Sequence, residues 1–174
     1  MSEGTDIYTT LGLTKIRNAA GSGSQVRISH VALGDGSGAA YAPEASQTTL
    51  RRELLREPIE RHYKVGTNAW AIKASFPPES TSIVVREMGF LDEDGDLIAL
   101  WAGLDVSNAR RTGTISYLIN HVMTFQGIAD GVVIIDAPDD DTFNLAVATA
   151  TSLASLQLEQ LRQAELLRRL TGRY

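Results

Sequence analysis

The sequence contains no cysteine among its 174 residues. This absence excludes disulfide bonds, thiol nucleophiles and cysteine-ligated zinc sites. No apolar run approaches the roughly 18 residues that a membrane-spanning helix needs. The N-terminal residues 1–4 also lack the basic start and apolar core of a signal peptide. We therefore expect a protein that is made in the cytoplasm, without membrane insertion and without export through a secretion signal.

Basic charge is also scarce. The chain has 16 lysines and arginines against 21 aspartates and glutamates, which gives a net charge of −5. A nucleic-acid-binding protein of this size is usually basic, because it must replace the counterions of the phosphates. The arginine pairs at 51–52, 110–111 and 168–169 each lie beside acidic or turn residues and form no basic patch. We therefore expect no nucleic-acid partner.

Apolar residues make up 43% of the chain, enough to bury the core of one domain. Apolar positions at helical spacing predict a short helix over 11–20. Residues 48–55 are compatible with either a short helix or an extended arm, and residues 77–80 predict a turn. Period-two patterns predict strands at 25–33, 59–65, 70–76, 83–91, 97–104, 114–124 and 132–135. In the first of these strands, Arg27 and Ser29 should face solvent.

The composition changes after Pro138. Residues 143–170 contain no glycine or proline and predict a long helix, preceded by three aspartates that can cap its N-terminus. We therefore expect two parts, a β-rich body over 1–138 and a C-terminal helix over 139–174. The predicted fold class is α+β, a β-rich body with a short N-terminal helix and a long C-terminal helix that forms a helical bundle in an oligomer.

The long helix carries apolar and amide side chains at the 3-4 spacing of a coiled coil. Leucine layers at 153/156 and 167/170 flank glutamine layers at 160 and 163. In a symmetric coiled coil, such glutamines can bond to one another and fix register and strand number. We therefore predict a trimer or another small homo-oligomer, with the homotrimer favoured. The alternative is an amphipathic helix that folds onto its own body, which Leu158, Leu161 and Leu166 support because they lie outside this seam.

Two segments resemble ligand-binding motifs. Asp92, Asp94 and Asp96 alternate as in a calcium loop, but Gly95 precedes the third acid and the glutamate of an EF-hand is missing. An Asp-Gly hairpin turn is the favoured interpretation. The segment Gly34–Gly38 lacks the Gly-Lys-Ser/Thr ending of a phosphate loop, so it also predicts a tight turn. We expect no metal and no cofactor.

The other candidate residues do not form a catalytic set. His30, His62 and His121 show no paired ligand spacing. Serines are plentiful, but no Gly-x-Ser-x-Gly elbow occurs. Arg86 and Glu87 are adjacent in a strand-like run, where a charge pair is more often a structural ion pair than an acid–base device. We therefore predict no catalytic residue and no enzyme.

Several segments together resemble the phage tail-collar fibre family, the N-terminal module of many tail fibres. Their order along the chain carries the resemblance. The matching segments are Thr9–Ile16, His30–Gly38, Pro43, Gln47-Thr48-x-Leu50, Glu53-Leu54-x-Arg56 and Val85–Ala99.

The resemblance implies a structural virion protein that attaches or forms a short tail fibre at the baseplate. Its expected partners are further copies of itself, a baseplate protein and a further fibre protein. The alternative is a receptor- or carbohydrate-binding module of a tail particle. For that role Trp70 and Trp101 are the candidate indole platforms, although both lie in strand-like runs where core packing is expected.

Overall fold

The computed structural model describes residues 5–66, 68–78, 83–102, 109–111, 116–125, 127–139 and 141–171. The chain divides into two compact units, Met1–Asp139 and Asp140–Tyr174. In the described residues, the first unit consists mainly of β-strands with one short α-helix, and the second is a single helix. The predicted α+β class is therefore confirmed.

The elements follow in chain order. They are β1 (Thr5–Tyr8), α1 (Thr10–Ser22), β2 (Val26–Gly34), β3 (Glu53–Pro58), β4 (Arg61–Gly66), β5 (Ala69–Phe76), β6 (Ile83–Val85), β7 (Glu87–Asp92), β8 (Leu97–Ala102), β9 (Ala109–Arg111), β10 (Tyr117–Thr124), β11 (Val133–Ile135) and α2 (Asp141–Thr171).

Helix α1 begins after Thr9, whose side chain accepts a hydrogen bond from the backbone N–H of Gly12 at 2.8 Å. The same hydroxyl donates to the carbonyl of Leu97 at 2.5 Å, so one buried side chain caps the helix and fixes it to β8. A β-carbon on Gly12 would overlap the backbone of Ile98. Glycine at this position therefore permits the close contact between helix and sheet.

Strand β2 lies inside the main sheet, whose order is β1-β8-β7-β2, with β3 and β11 both on the far side of β2. β11 pairs in parallel with residues 26–28, and β3 pairs antiparallel with residues 30–34. The prediction that Ser29 faces solvent was wrong, since it is 7% exposed. The two faces of β2 contribute to different apolar clusters, Val31 to one and Ala32 to the other, so neither face is left to water.

The second sheet has the order β10-β5-β4 and is antiparallel throughout. The strands predicted at 59–65 and 70–76 correspond to β4 and β5, which pair with each other, and Asn68 in their connection adopts a φ of 53°. The inner face of this second sheet, which carries Trp70, Ile72 and Phe76, is part of the largest buried apolar cluster described in the body. This cluster also contains residues of α1 and β2, so it joins the two sheets.

The predicted strand at 83–91 is two strands. β6 pairs with β9, whereas β7 pairs with both β2 and β8. Arg86 lies between them and donates its backbone N–H to the carbonyl of Gly34 at 2.9 Å. The chain therefore changes partner at this residue, which no local pattern indicates.

The predicted β7–β8 hairpin is confirmed, with Gly95 at a φ of 85°. Of the two alternatives for residues 48–55, the extended one is correct and leads into β3. Short strands β1 and β9 were missed. The turn predicted at 77–80 falls at 79–80 outside the described residues.

Helix α2 is continuous over 31 residues, so the long helix predicted at 143–170 is confirmed. Its described leucines are all exposed, at positions 153, 156, 158, 161, 166 and 167. Within the part of the chain that the structure describes, no helix is long and apolar enough to cross a membrane.

Candidate functional site: a loop fixed by a buried carboxylate

The longest irregular segment of the body runs over residues 36–51, between β2 and β3, and we call it the 36–51 loop. It contains one 3-10 turn at Gly36–Gly38, which confirms the tight turn predicted there. The loop is flanked by Asp35 and Arg52, and the Arg52 guanidinium contacts the Asp35 carboxylate through two nitrogens, with Nε at 2.7 Å. Loops of this length whose ends lie close together frequently carry function.

The ion pair at the ends of the loop is electrostatically stabilised. The Arg52 guanidinium, through its hydrogen bond, holds the pKa of Asp35 below its usual range, although burial acts in the opposite direction. The Asp35 carboxylate also accepts the backbone N–H of Ser37 at 3.1 Å, and its carbonyl accepts from Arg86 at 3.3 Å. Asp35 therefore fixes both the start of the loop and its closure.

Glu87 of β7 fixes the loop from the inside. It is fully buried, and its Oε1 accepts the backbone N–H groups of Gly36 at 3.2 Å and Arg52 at 2.9 Å. Its Oε2 accepts the backbone N–H of Arg51 at 2.9 Å and the hydroxyl of Tyr41. A carboxylate that accepts four donors satisfies a buried charge. The backbone at both ends of the loop is thus attached to one side chain.

The predicted pairing of Arg86 with Glu87 does not occur. Arg86, which lies just before β7, donates its side chain to the Asp35 carbonyl, whereas the Glu87 carboxylate accepts the backbone N–H of Gly36. Gly34 makes this possible, because a β-carbon there would overlap the Glu87 carboxylate.

Tyr41 connects the buried carboxylate to the surface. Its hydroxyl bonds to Glu87, and it accepts a hydrogen bond from the Gln47 amide at 3.3 Å. Burial, together with the hydrogen bond to Glu87, raises the pKa of Tyr41 to about 12. The guanidinium of Arg51 lies 3.6 Å from the centroid of the tyrosine ring, a cation–π contact. Arg51 itself is exposed.

A shallow groove of about 420 Å³ follows the second half of the loop. Its lining consists mainly of hydroxyl, amide and charged side chains. The lining residues are Glu44, Ser46, Gln47, Thr48, Thr49, Leu50 and Arg51. The groove can therefore form hydrogen bonds and an ion pair, but it offers little apolar surface.

The three alternating aspartates of the β7–β8 hairpin do come together, with one oxygen of each lying within 4.8 Å of the others. The Nζ atom of Lys15 contacts all three, at 2.6 Å from Asp92, 2.9 Å from Asp94 and 2.5 Å from Asp96. Burial would lower the pKa of Lys15, but its hydrogen bonds to the aspartates raise it above the usual range. An ammonium group thus lies where a metal ion would otherwise fit.

The three histidines lie in different settings. His30 Nδ1 is 2.8 Å from the hydroxyl of Ser29, and the His121 ring stacks on Phe90 at 5.1 Å. His62 Nε2 is 3.1 Å from the carboxylate of Asp139 at the end of the body. They are not assembled into a ligand set.

Both tryptophans pack into the body. Trp70 is 8% exposed and lies edge-on to Phe125 at 5.6 Å, and Trp101 packs against the main cluster. Trp70 is therefore buried and Trp101 partly buried, as expected for strand residues that pack on a core. The sequence pattern indicated a structural role for Glu87 but not its partners in the loop, and it gave no indication of the role of Tyr41. The available signal was a carboxylate inside an otherwise apolar strand.

Comparisons with known proteins agree with the resemblance in the loop and hairpin segments. Over 97 residues the chain is 34% identical to the "Probable tail fiber protein" of Escherichia phage P2, which covers 54% of this chain and 14% of that protein. The chain thus spans about one seventh of its relative. No solved structure matches it. Residues 1–126 match the family described as phage tail-collar fibre protein, N-terminal, and since they are more than half of the chain, it belongs to that family.

Proposed function

We propose that this chain is a structural component of a phage or phage-like tail, where it attaches or forms a short tail fibre at the baseplate. The observation that carries the proposal is the family match over residues 1–126. Its location would be the tail of the virion, after synthesis in the cytoplasm of the host. The proposed partners are further copies of itself, a baseplate protein and a further fibre protein, without nucleic acid or membrane insertion.

We also propose that the chain is not an enzyme. The carboxylates that are buried among the described residues, Asp35, Glu87 and Asp92, all have structural partners, and that of Asp35 is Arg52. Glu87 holds the loop backbone, and Asp92 binds Lys15 and accepts the backbone N–H groups of Asp94 and Asp96 at 3.1 and 2.9 Å. General acid–base catalysis requires such a group to reach a substrate.

The proposed oligomer is a homotrimer assembled through α2, with 1–138 as the body and 139–174 as the oligomerisation segment. Leu153, Leu156 and Leu167 lie on one side of the helix at 3-4 spacing and are 56%, 61% and 61% exposed. Exposed leucines at that spacing are buried when copies of the helix associate. Gln160 and Gln163 on the same side can then bond across the trimer axis.

Deleting residues 143–174 tests the trimer. The truncated chain should remain folded, because the body has its own apolar clusters, but it should lose oligomerisation. The full chain should have a mass near three times 18.8 kDa by light scattering. A full chain that is monomeric at micromolar concentration would rule out the trimer, and a truncated chain that is unfolded would make α2 part of the core.

A pair of substitutions locates the contact on α2. Leu156→Asp with Leu167→Asp should dissociate the oligomer, because each copy would bury an uncompensated charge. Leu158→Asp with Leu161→Asp is the matched control, since these equally exposed leucines lie outside the seam. Equal dissociation by both pairs would contradict the proposed seam.

Attachment itself is tested on tail particles assembled without this chain. Purified chain added to these particles should co-sediment with them, and particles stripped of their baseplate should not bind it. For the alternative function, a receptor- or carbohydrate-binding module, a glycan array is the direct test. Specific glycan binding without particle binding would favour that alternative.

A further inference from the structure

We propose that the groove of the 36–51 loop binds a carboxylate-bearing segment of the protein to which this chain attaches, with Arg51 as the residue that pairs with the carboxylate. This inference rests on the proposed attachment function and assigns it a surface and a partner chemistry. It depends on three features of the loop: the position of Arg51 against Tyr41, the backbone fixed by hydrogen bonds, and the polar lining of the groove.

Arg51 is an oriented cation without a carboxylate partner among the described residues. Its neighbour Arg52 is paired with Asp35, whereas no described carboxylate oxygen lies within 4.0 Å of the Arg51 guanidinium. The guanidinium is restrained by its contact with the Tyr41 ring, 3.6 Å from the ring centroid, while Arg51 as a residue is exposed. A planar guanidinium binds a carboxylate through two parallel hydrogen bonds, so a fixed plane favours this ligand.

The loop backbone is ordered before any partner arrives. The N–H of Arg51 is bonded to Glu87, the hydroxyl of Tyr41 is bonded to the same carboxylate, and the backbone N–H of Thr10 bonds to the carbonyl of Ala45 at 2.7 Å. Much of the conformational entropy that a free loop would lose on binding is therefore lost during folding. Preorganisation of this kind raises affinity without adding contacts.

The lining of the groove suits a protein segment better than a neutral sugar. Thr48 and Thr49 are exposed and offer hydroxyls and backbone groups, and Ser46 adds another hydroxyl. Sugar rings commonly stack on an open aromatic face, but the Tyr41 ring beside the groove is 4% exposed and is covered by Arg51. The lining carries one cation, Arg51, and one carboxylate, Glu44, together with several hydroxyls, so the groove fits an extended peptide whose acidic side chain lies at the Arg51 end.

A peptide titration tests the chemistry directly. The full-length chain, labelled with nitrogen-15, is titrated with the blocked tripeptide Ac-Gly-Asp-Gly-NH2 and separately with its uncharged isostere Ac-Gly-Asn-Gly-NH2. The aspartate peptide should shift the Arg51 Nε–H resonance and the amides of Thr48 and Thr49, and the asparagine peptide should not. Equal shifts with both peptides, no shift, or the same shifts with neutral oligosaccharides would each overturn the inference.

Attachment to particles lacking the chain tests the role of the surface. Arg51→Ala should weaken co-sedimentation by about 10- to 100-fold, the usual effect of losing hydrogen bonds to a charged group. Arg51→Lys should be intermediate because it keeps the charge and loses the planar fork. Arg17→Ala is the matched control, because Arg17 is an exposed arginine that lies on α1, outside the 36–51 loop. This variant should bind as the unmodified chain does.

The two proposals fail differently. If the unmodified chain does not bind the particles, the proposed attachment function fails. If the unmodified chain binds and Arg51→Ala binds equally well, only the assignment of the groove is overturned. Unchanged thermal unfolding of Arg51→Ala would confirm that any loss of binding comes from the missing guanidinium and not from a disrupted loop.

Discussion

Replacing Glu87 by glutamine is the most direct test of how the 36–51 loop is held. The substitution keeps the size of the side chain and exchanges one carboxylate oxygen for an amide NH2 group, which donates and cannot accept. Each oxygen of Glu87 accepts two donors. In either orientation of the amide, two of these donors therefore face another donor.

The cost follows from the two orientations. If the NH2 group replaces Oε2, the Tyr41 hydroxyl can rotate to accept, but the backbone N–H of Arg51 loses its acceptor. If the NH2 group replaces Oε1, the backbone N–H groups of both Gly36 and Arg52 lose their acceptor. A buried N–H without a partner costs about 1–3 kcal/mol, and the remaining bonds lose their charge-assisted strength. We expect the better orientation to lower the free energy of unfolding by about 2–4 kcal/mol.

Urea unfolding monitored by circular dichroism measures this change, at equal protein concentration because association adds to the apparent stability. Amide hydrogen exchange should become faster at Arg51 and Arg52. Glu93→Gln is the control, because the Glu93 carboxylate is largely exposed and its ion pair with Arg27 is long, at 3.9 Å. This substitution should change the free energy of unfolding by less than about 0.5 kcal/mol. A comparably small change for Glu87→Gln, with unaltered exchange, would refute the account of the loop.

Three further predictions follow from the same contacts. Lys15→Met should lower stability by about 3 kcal/mol, because the aspartate cluster loses its counter-charge, and millimolar Ca²⁺ should raise the melting temperature of this variant but not that of the unmodified chain. Gly95→Val should cost about 1–3 kcal/mol, since the turn requires a φ of 85°; an unchanged melting temperature would contradict this. The folded-state pKa of Asp35 is below its unfolded value of 3.8, so its stabilisation is present above that pH and lost on acidification. Asp35→Asn should accordingly show a shallower acid loss of stability in urea titrations from pH 5 downward.

The elements that could be predicted from the sequence are those defined by local patterns. α1 and α2 follow from helical spacing, and the β7–β8 hairpin follows from its Asp-Gly turn, because neighbours along the chain decide these structures. Strands β1 and β9 have only four and three residues. Their conformation depends on distant pairing partners, so no local period identifies them.

The contacts that hold the loop could not be predicted, because they join distant segments. The donors to Glu87 lie 35 to 51 residues earlier in the chain, and Lys15 lies 77 residues from Asp92. The sequence did place a charged residue within an apolar strand, where an unpaired carboxylate would be costly. That signal indicates a buried partner set without identifying its members, which is why the neighbouring Arg86 was the expected partner.

The two units use their side chains in opposite ways, and this difference bears on both proposals. In the body, buried polar groups such as Glu87 and Asp92 are bonded within the same chain, so the shape of the 36–51 loop does not require a second copy. In α2, leucines such as Leu156 and Leu167 remain exposed in the single chain, and in the proposed trimer they would be buried by further copies of it. Assembly and recognition should therefore be separable. Variants of the α2 seam should change mass before they change the Arg51 groove, and variants of the groove should leave the mass unchanged.

In a trimer, however, three grooves would act together on one particle, so dissociating α2 should also weaken attachment by reducing the number of simultaneous contacts.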